Sequence, residues 1–299
     1  MKNELLSSCT LCPRMCKADR NSGKTGFCGA DNRIKVARCA LHFWEEPCIS
    51  GDSGSGTVFF SHCTLKCVYC QNYKISTENQ GRFVTVNELC NMFLDLQNQG
   101  ALNINLVTPT HFVPGIVEAL KMAKEKGLTL PVLYNTSGYE RPETLELLRD
   151  LVDIFLPDFK YFCESTAQKY SDAKEYPEAC KKAIAKMFDL VGKCKFDQNG
   201  IIKKGVIVRH LMLPGLEDET KMILEYLYKT YGDDIFISIM SQYTPLPTLP
   251  KEFPELATPI DMAVYDKVLD FAIGMGIENA FIQEDGSVSE SFIPEFWTE

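Results

Sequence analysis

No stretch of the 299 residues stays apolar for the length of a membrane span, so no transmembrane helix is expected. The opening residues, MKNELLSSCTLC, carry no apolar core of signal-peptide length, and a cytoplasmic protein is the expectation. Positive charge is also short. Lys and Arg number 31 against 40 Asp and Glu, a net charge of −9. That balance argues against nucleic acid gripped by a broad basic face. There is no internal repeat and no low-complexity tract. What is left is an ordinary globular composition, 45% hydrophobic and 24% charged, which can bury a full core.

Cysteine is in excess, with thirteen in the chain. In a reducing compartment such a number points to metal or redox chemistry rather than disulfides. Nine of the thirteen fall in the first 70 residues, at 9, 12, 16, 28, 39, 48, 63, 67 and 70. The metal chemistry therefore lies near the start of the chain. The other four, at 90, 163, 180 and 194, are scattered through what reads as scaffold.

The densest group is CTLKCVYC, where Cys63, Cys67 and Cys70 stand in eight residues without a fourth. A closed zinc site takes four ligands, and so does an ordinary iron–sulfur cluster. Three thiolates on one short loop leave one position of a cubane open.

From residue 57 onward short apolar runs alternate with helical patterns. Strands are expected at 57–61, 103–107, 131–135, within 152–161, and at 205–213, 235–240 and 280–283. Thr85 and Glu88 form a capping-box pattern that opens a helix to about residue 99. Pro142 suits a first helical turn. The runs read as buried on both faces, as in a parallel sheet. Six βα units and a seventh strand predict a partial (β/α)6 barrel over residues 51–299, with an open doubly wound sheet as the alternative. Residues 1–50 read as a small Cys-rich metal-binding segment, too poor in apolar periodicity to build a core. The three-cysteine loop follows the first strand, at the C-terminal end of the sheet where ligands bind.

Cys-x3-Cys-x2-Cys with Tyr69 just before its last cysteine resembles the radical S-adenosylmethionine (SAM) superfamily. CVYCQNYKIS, VTPTHF, VDIFLPDFKY and VRHLMLPG resemble the branch of pyruvate formate-lyase activating enzymes, and CTLCPRMC and HFWEEPCISG an uncharacterised set of their relatives. The resemblance implies a [4Fe–4S] cluster on Cys63, Cys67 and Cys70 whose open iron binds SAM. It implies reductive cleavage of SAM to a 5′-deoxyadenosyl radical that abstracts hydrogen from a substrate. Tyr69 would lie near the adenine. Thr108 and Thr110 stand where the family often has Gly-Gly-Glu and would face the SAM amino group. Asp158 and Lys160 match an Asp-x-Lys of the activating enzymes, with Lys160 on the SAM carboxylate. Strand alternation puts both on one side. Asn135 replaces an aspartate of that branch, so its monovalent cation is not expected. Asn135 and Ser137 would instead reach the ribose or carboxylate, and Gln242 stands where a SAM-contacting histidine is placed.

Cys9, Cys12, Cys16 and Cys28 form a second set, which suits zinc or a second iron–sulfur cluster. Lys17, Arg20, Lys24 and Arg33 make its surroundings basic, either as a solvated face or as a dock for an acidic electron donor of the flavodoxin or ferredoxin type. Arg209 and His210 are adjacent on a strand, so only one faces inward. His42 and His111 are candidates for a substrate site. Glu45 and Glu46 are expected at the active-site mouth, and Cys39 and Cys48 as buried free thiols. Three readings follow: a radical SAM enzyme on a small molecule or macromolecule, an activase that installs a glycyl radical on a partner enzyme, or a zinc-stabilised binding protein without catalysis.

Overall fold

The structure is a computed structural model that describes residues 2–247, 249, 251–283 and 295–297. Ten strands form one sheet: β1 (Ile34–His42), β2 (Ser55–Phe60), β3 (Arg82–Val84), β4 (Ile104–Val107), β5 (Val132–Thr136), β6 (Ile154–Pro157), β7 (Lys195–Phe196), β8 (Ile202–Leu211), β9 (Phe236–Met240) and β10 (Ala280–Ile282). Their spatial order is β10-β9-β8-β6-β5-β4-β2-β1-β3, with β7 beside β8. From β2 to β10 the neighbours along this path are parallel. Helices connect them, as parallel strands require.

Local sequence explains the connecting helices. Helix Val86–Asn98 begins with the full capping box: the Glu88 amide donates to Thr85 Oγ1 at 3.2 Å and the Thr85 amide to Glu88 Oε2 at 2.7 Å. Pro142 opens helix Pro142–Glu146. One face of the sheet packs on the helices through residues such as Leu106, Tyr134, Phe155 and Val208. The alternate residues Leu133, Ile154, Leu156 and Ile207 point to the other face and meet Cys48 and Ile49.

That second face is concave. Glu45, in the loop after β1, contacts side chains of β4, β5 and β8. The same loop also shares a cavity wall with Ser238 of β9 and Phe281 of β10. One loop near one edge of the sheet can reach the opposite edge only if the sheet curls round it. The result is a partial barrel with residues 44–50 inside it. Asn103 pins this insert by donating to the Ile49 carbonyl at 2.9 Å. Residues 295–297 pack on β1, where the Trp297 amide donates to the Ala37 carbonyl at 2.9 Å.

β1 was not expected. Its register shifts between Val36 and Arg38, so Val36 and Ala37 are both buried and the period-2 pattern breaks. It runs antiparallel between β2 and β3 and brings residues 34–42 into the same sheet as the strands beyond residue 50. β3 and β7, three and two residues long, were also unforeseen.

Ile49 is fully buried against the lower apolar layer. Ile49→Ala should lower the unfolding free energy by roughly 2–5 kcal/mol, read as a lower urea midpoint. An unchanged midpoint would contradict the burial of this insert in the barrel.

Candidate active site

The parallel strands end on a common cavity of about 250 Å³. Phe60 of β2 leads into the loop of Cys63, Cys67 and Cys70, and all three thiols line the space. Thr108 follows β4, Ser137 follows β5, and Asp158 and Lys160 follow β6. Arg209 comes from β8, and Gln242 lies just past β9. Residues distant in sequence meet because each parallel strand delivers its C-terminal end to the same rim.

A charged network forms the floor of this cavity. Lys160 Nζ lies 2.7 Å from Asp158 Oδ2, and Arg209 Nε lies 3.0 Å from Asp158 Oδ1. Arg209 Nη2 donates to Asn135 Oδ1 at 2.6 Å, and Nη1 lies 3.2 Å from Glu45 Oε2. Asn105 Nδ2 donates to Glu45 Oε1 at 2.9 Å. Burial pushes the Asp158 carboxyl up, but Lys160 and Arg209 outweigh it and hold it below its usual range. Burial pulls the Lys160 ammonium down, but Asp158 and the nearby thiols outweigh that and hold it protonated. Asp158 and Lys160 are therefore both charged and hold each other in place.

The cysteine loop is held in a strained conformation. His62 and Lys66 take φ of 73° and 53°, a region side chains rarely adopt. The Leu65 amide donates to Cys63 Sγ at 3.4 Å and Ser76 Oγ to Cys70 Sγ at 3.4 Å. Tyr69 is buried edge-on against Tyr161, Tyr170 and Tyr243, with centroids 6.2–6.4 Å apart. Burial pushes the Cys70 thiol up to about 12, with Cys67 and Cys63 adding to the rise. A metal that binds such thiols draws off the proton and holds them as thiolates. Among the described residues no three His, Cys, Asp or Glu side chains are gathered for one metal ion. A cluster makes a different demand, since its cysteines bind separate irons. Three thiols on one cavity, each of the outer two with a donor on its sulfur, match that demand.

The Radical SAM superfamily profile matches residues 57–227, more than half of the chain. The chain belongs to the radical SAM superfamily. Members of this superfamily are generally enzymes that use a [4Fe–4S] cluster and SAM. Among curated proteins, the uncharacterized protein MJ0674 of Methanocaldococcus jannaschii is 28% identical over 90% of this chain and 75% of its own length. The putative glycyl-radical enzyme activating enzyme MJ1227 of the same organism is 32% identical over 69% of this chain and 79% of its own. In fold, the chain resembles the crystal structure of Streptococcus suis SuiB bound to S-adenosylmethionine, with a TM-score of 0.53 and 13% identity over 75% of this chain. It spans 48% of that longer protein. Among the described residues no helix is long and apolar enough to cross a membrane.

Not every expected residue reaches the radical SAM cavity. Thr110 turns away and donates to Glu140 Oε1, as Thr136 does from the other side. Its hydroxyl is occupied there and does not line the cavity. His111 is buried with Nε2 2.7 Å from the Ser61 carbonyl, and His42 packs edge-on against Phe59. His210 faces away from Arg209, bonding the Phe159 carbonyl and Thr220. Cys48 sits in the lower apolar layer and Cys39 on β1.

Cys9, Cys12 and Cys28 are buried at the N-terminus, and Cys16 is exposed. Cys16 Sγ packs on Gly26, where an added Cβ would come within 2.3 Å of it. Arg20 is not part of a solvated basic face. It is 1% exposed and donates to the carbonyls of Asp31 and His111. Arg33 is exposed but paired with Asp31 at 2.6 Å, and Lys17 and Lys24 are exposed as well. Conversely, His62 lines the cavity without having been singled out. Its place next to Cys63 was the available signal. Glu45 proves to be a full member of the polar network.

Glu140 is buried, and burial raises its carboxyl from 4.5 to about 7 against the bonds from Thr110 and Thr136. A raised acid stabilises the fold fully below its unfolded pKa, and that contribution is lost as pH rises through the folded value. Relative to Glu140→Gln, wild-type unfolding free energy should therefore fall by about 3 kcal/mol between pH 4.5 and 7. Urea unfolding across that range measures it, and a pH-independent difference would contradict a protonated Glu140.

Proposed function

We propose that the chain binds SAM in the central cavity, against a [4Fe–4S] cluster on Cys63, Cys67 and Cys70. The observation that carries this is the meeting of three thiols and the Asp158–Lys160–Arg209 network on one cavity. A [4Fe–4S] cluster held by Cys63, Cys67 and Cys70, once reduced by an external one-electron donor, would supply the electron that breaks a sulfur–carbon bond of SAM, giving methionine and a 5′-deoxyadenosyl radical that would take a hydrogen atom from the substrate to become 5′-deoxyadenosine. Lys160 holds the SAM carboxylate, and Asp158 and Arg209 keep its ammonium aimed. Tyr69 borders the adenine site. Thr108, Asn135, Ser137 and Gln242 supply hydrogen-bonding groups to the remainder of SAM. The cavity lies at the sheet end, walled by Phe60, Leu65 and Ile75, which limits water around the reacting atoms.

A second reading is that the substrate is a protein, on which the enzyme installs a glycyl radical. The 32% identity to a putative glycyl-radical enzyme activating enzyme favours it. The N-terminal thiols Cys9, Cys12, Cys16 and Cys28 are not gathered as one set of metal ligands in this structure, so in this reading they close on zinc or a second cluster only when it binds, and Lys17 and Lys24 beside them suit an acidic flavodoxin or ferredoxin-type donor. The cysteines are all free, which accords with a reducing cytoplasm.

After anaerobic reconstitution the protein should carry about four irons and form 5′-deoxyadenosine with dithionite. Cys67→Ala should abolish both. Lys160→Met should keep the iron and weaken SAM binding about tenfold or more, as loss of a charge-assisted hydrogen bond does. About eight irons would assign a cluster to the N-terminal thiols, and about four with one zinc would make them structural. A colourless protein without SAM binding would leave only the non-catalytic zinc reading. Radical formation on a candidate glycyl radical enzyme tests the activase reading.

A further inference from the structure

A second cavity, of about 140 Å³, adjoins the first. Arg209, Met240 and Gln242 line both. The remaining wall is built by the insert Trp44-Glu45-Glu46-Pro47 on one side and by Ser238 and Gln283 on the other. This volume suits a group the size of an amino-acid side chain, well below the several hundred Å³ of a whole-cofactor pocket. The HFWEEP stretch that forms the wall touches the SAM site proposed above through Glu45 alone, which meets Arg209 and Asn135.

The charges around Arg209 do not balance. Asp158 uses both oxygens, on Lys160 and Arg209. Glu45 uses both, on Asn105 and Arg209. Arg209 has Nε, Nη1 and Nη2 all engaged. Three carboxylates thus share two cations, and Glu46 is the one left over. Glu46 is 9% exposed, and its Oε2 is buried with no hydrogen-bond partner. A buried carboxylate oxygen without a donor is costly, and a bound cation or hydrogen-bond donor is one arrangement that offsets that cost. Burial pushes the Glu46 carboxyl up and Glu45 adds to the rise, against the opposing pull of Arg209 and a hydrogen bond from Ser238.

We propose that this smaller cavity is the substrate subsite and that it takes a cationic N–H group, a primary ammonium or guanidinium, against Glu46. The inference rests on the reading that the larger cavity holds SAM. The shared wall of Arg209, Met240 and Gln242 then brings the substrate's neighbouring carbons to the edge of the SAM site. Selection is by charge, because a neutral group of the same shape leaves Glu46 Oε2 desolvated and unpaired.

Calorimetry on the reconstituted protein without reductant tests this. SAM is titrated first, then n-butylammonium, n-butylguanidinium and n-butanol. The two cations should bind at least about tenfold tighter than the alcohol, and Glu46→Gln should remove that preference. Whichever of the two cations binds tighter identifies the substrate's group. Equal binding of n-butanol and the cations to wild-type protein would overturn the proposal without reference to any variant, as would a preference retained in Glu46→Gln. If SAM itself fails to bind, the SAM reading falls. The cation titrations then proceed on the SAM-free protein and still decide the charge selection at Glu46.

Discussion

The half-buried guanidinium of Arg209 is the interaction on which the site depends. It ties β8 to Asp158 beyond β6, to Asn135 on β5 and to Glu45 in the loop after β1. A buried ion pair contributes little net stability, because desolvation cancels much of the Coulomb attraction. Its value here is geometric. Arginine's planar fork fixes three partners at once, where lysine's single point charge would not. Removing it would strand Asp158 and Glu45 as half-buried, underpaired carboxylates.

Below that network the barrel interior is apolar, with Ile49 among Leu133, Ile154, Leu156 and Ile207. Above it stands the cysteine loop. This layering gives the cavity a rigid, charged floor beneath the three thiols. Rigidity matters because a reactive radical needs its target held close and solvent held away. The strained backbone at His62 and Lys66 belongs to the same scheme, since packing from Tyr69 and its three tyrosine neighbours holds that loop in place.

Much of this was legible in the sequence because it is local. Cys63, Cys67 and Cys70 share one loop, and Asp158 and Lys160 share one strand end, so spacing alone brings them together. The parallel strands announced themselves as apolar runs. Other features depend on register between distant strands. Asp158 bridges to Arg209 because β6 and β8 align at that level, and nothing near Arg209 in sequence signals it. Strand alternation puts one of Arg209 and His210 inward without saying which. β1 was hidden by its bulge, and with it the reason that Glu45 and Glu46 enter the barrel. Thr110 was misplaced by analogy of position. The short helical turn at 110–112 rotates its hydroxyl toward Glu140.

The central claim is that SAM sits on the open iron of a cluster carried by Cys63, Cys67 and Cys70. Electron–nuclear double resonance on the reduced, reconstituted protein with SAM labelled with ¹⁵N at its amino group tests it most directly. The account predicts a hyperfine coupling from the label to the cluster, which shows that nitrogen bound to iron. A reduced cluster with SAM present and no coupling to the label would contradict it.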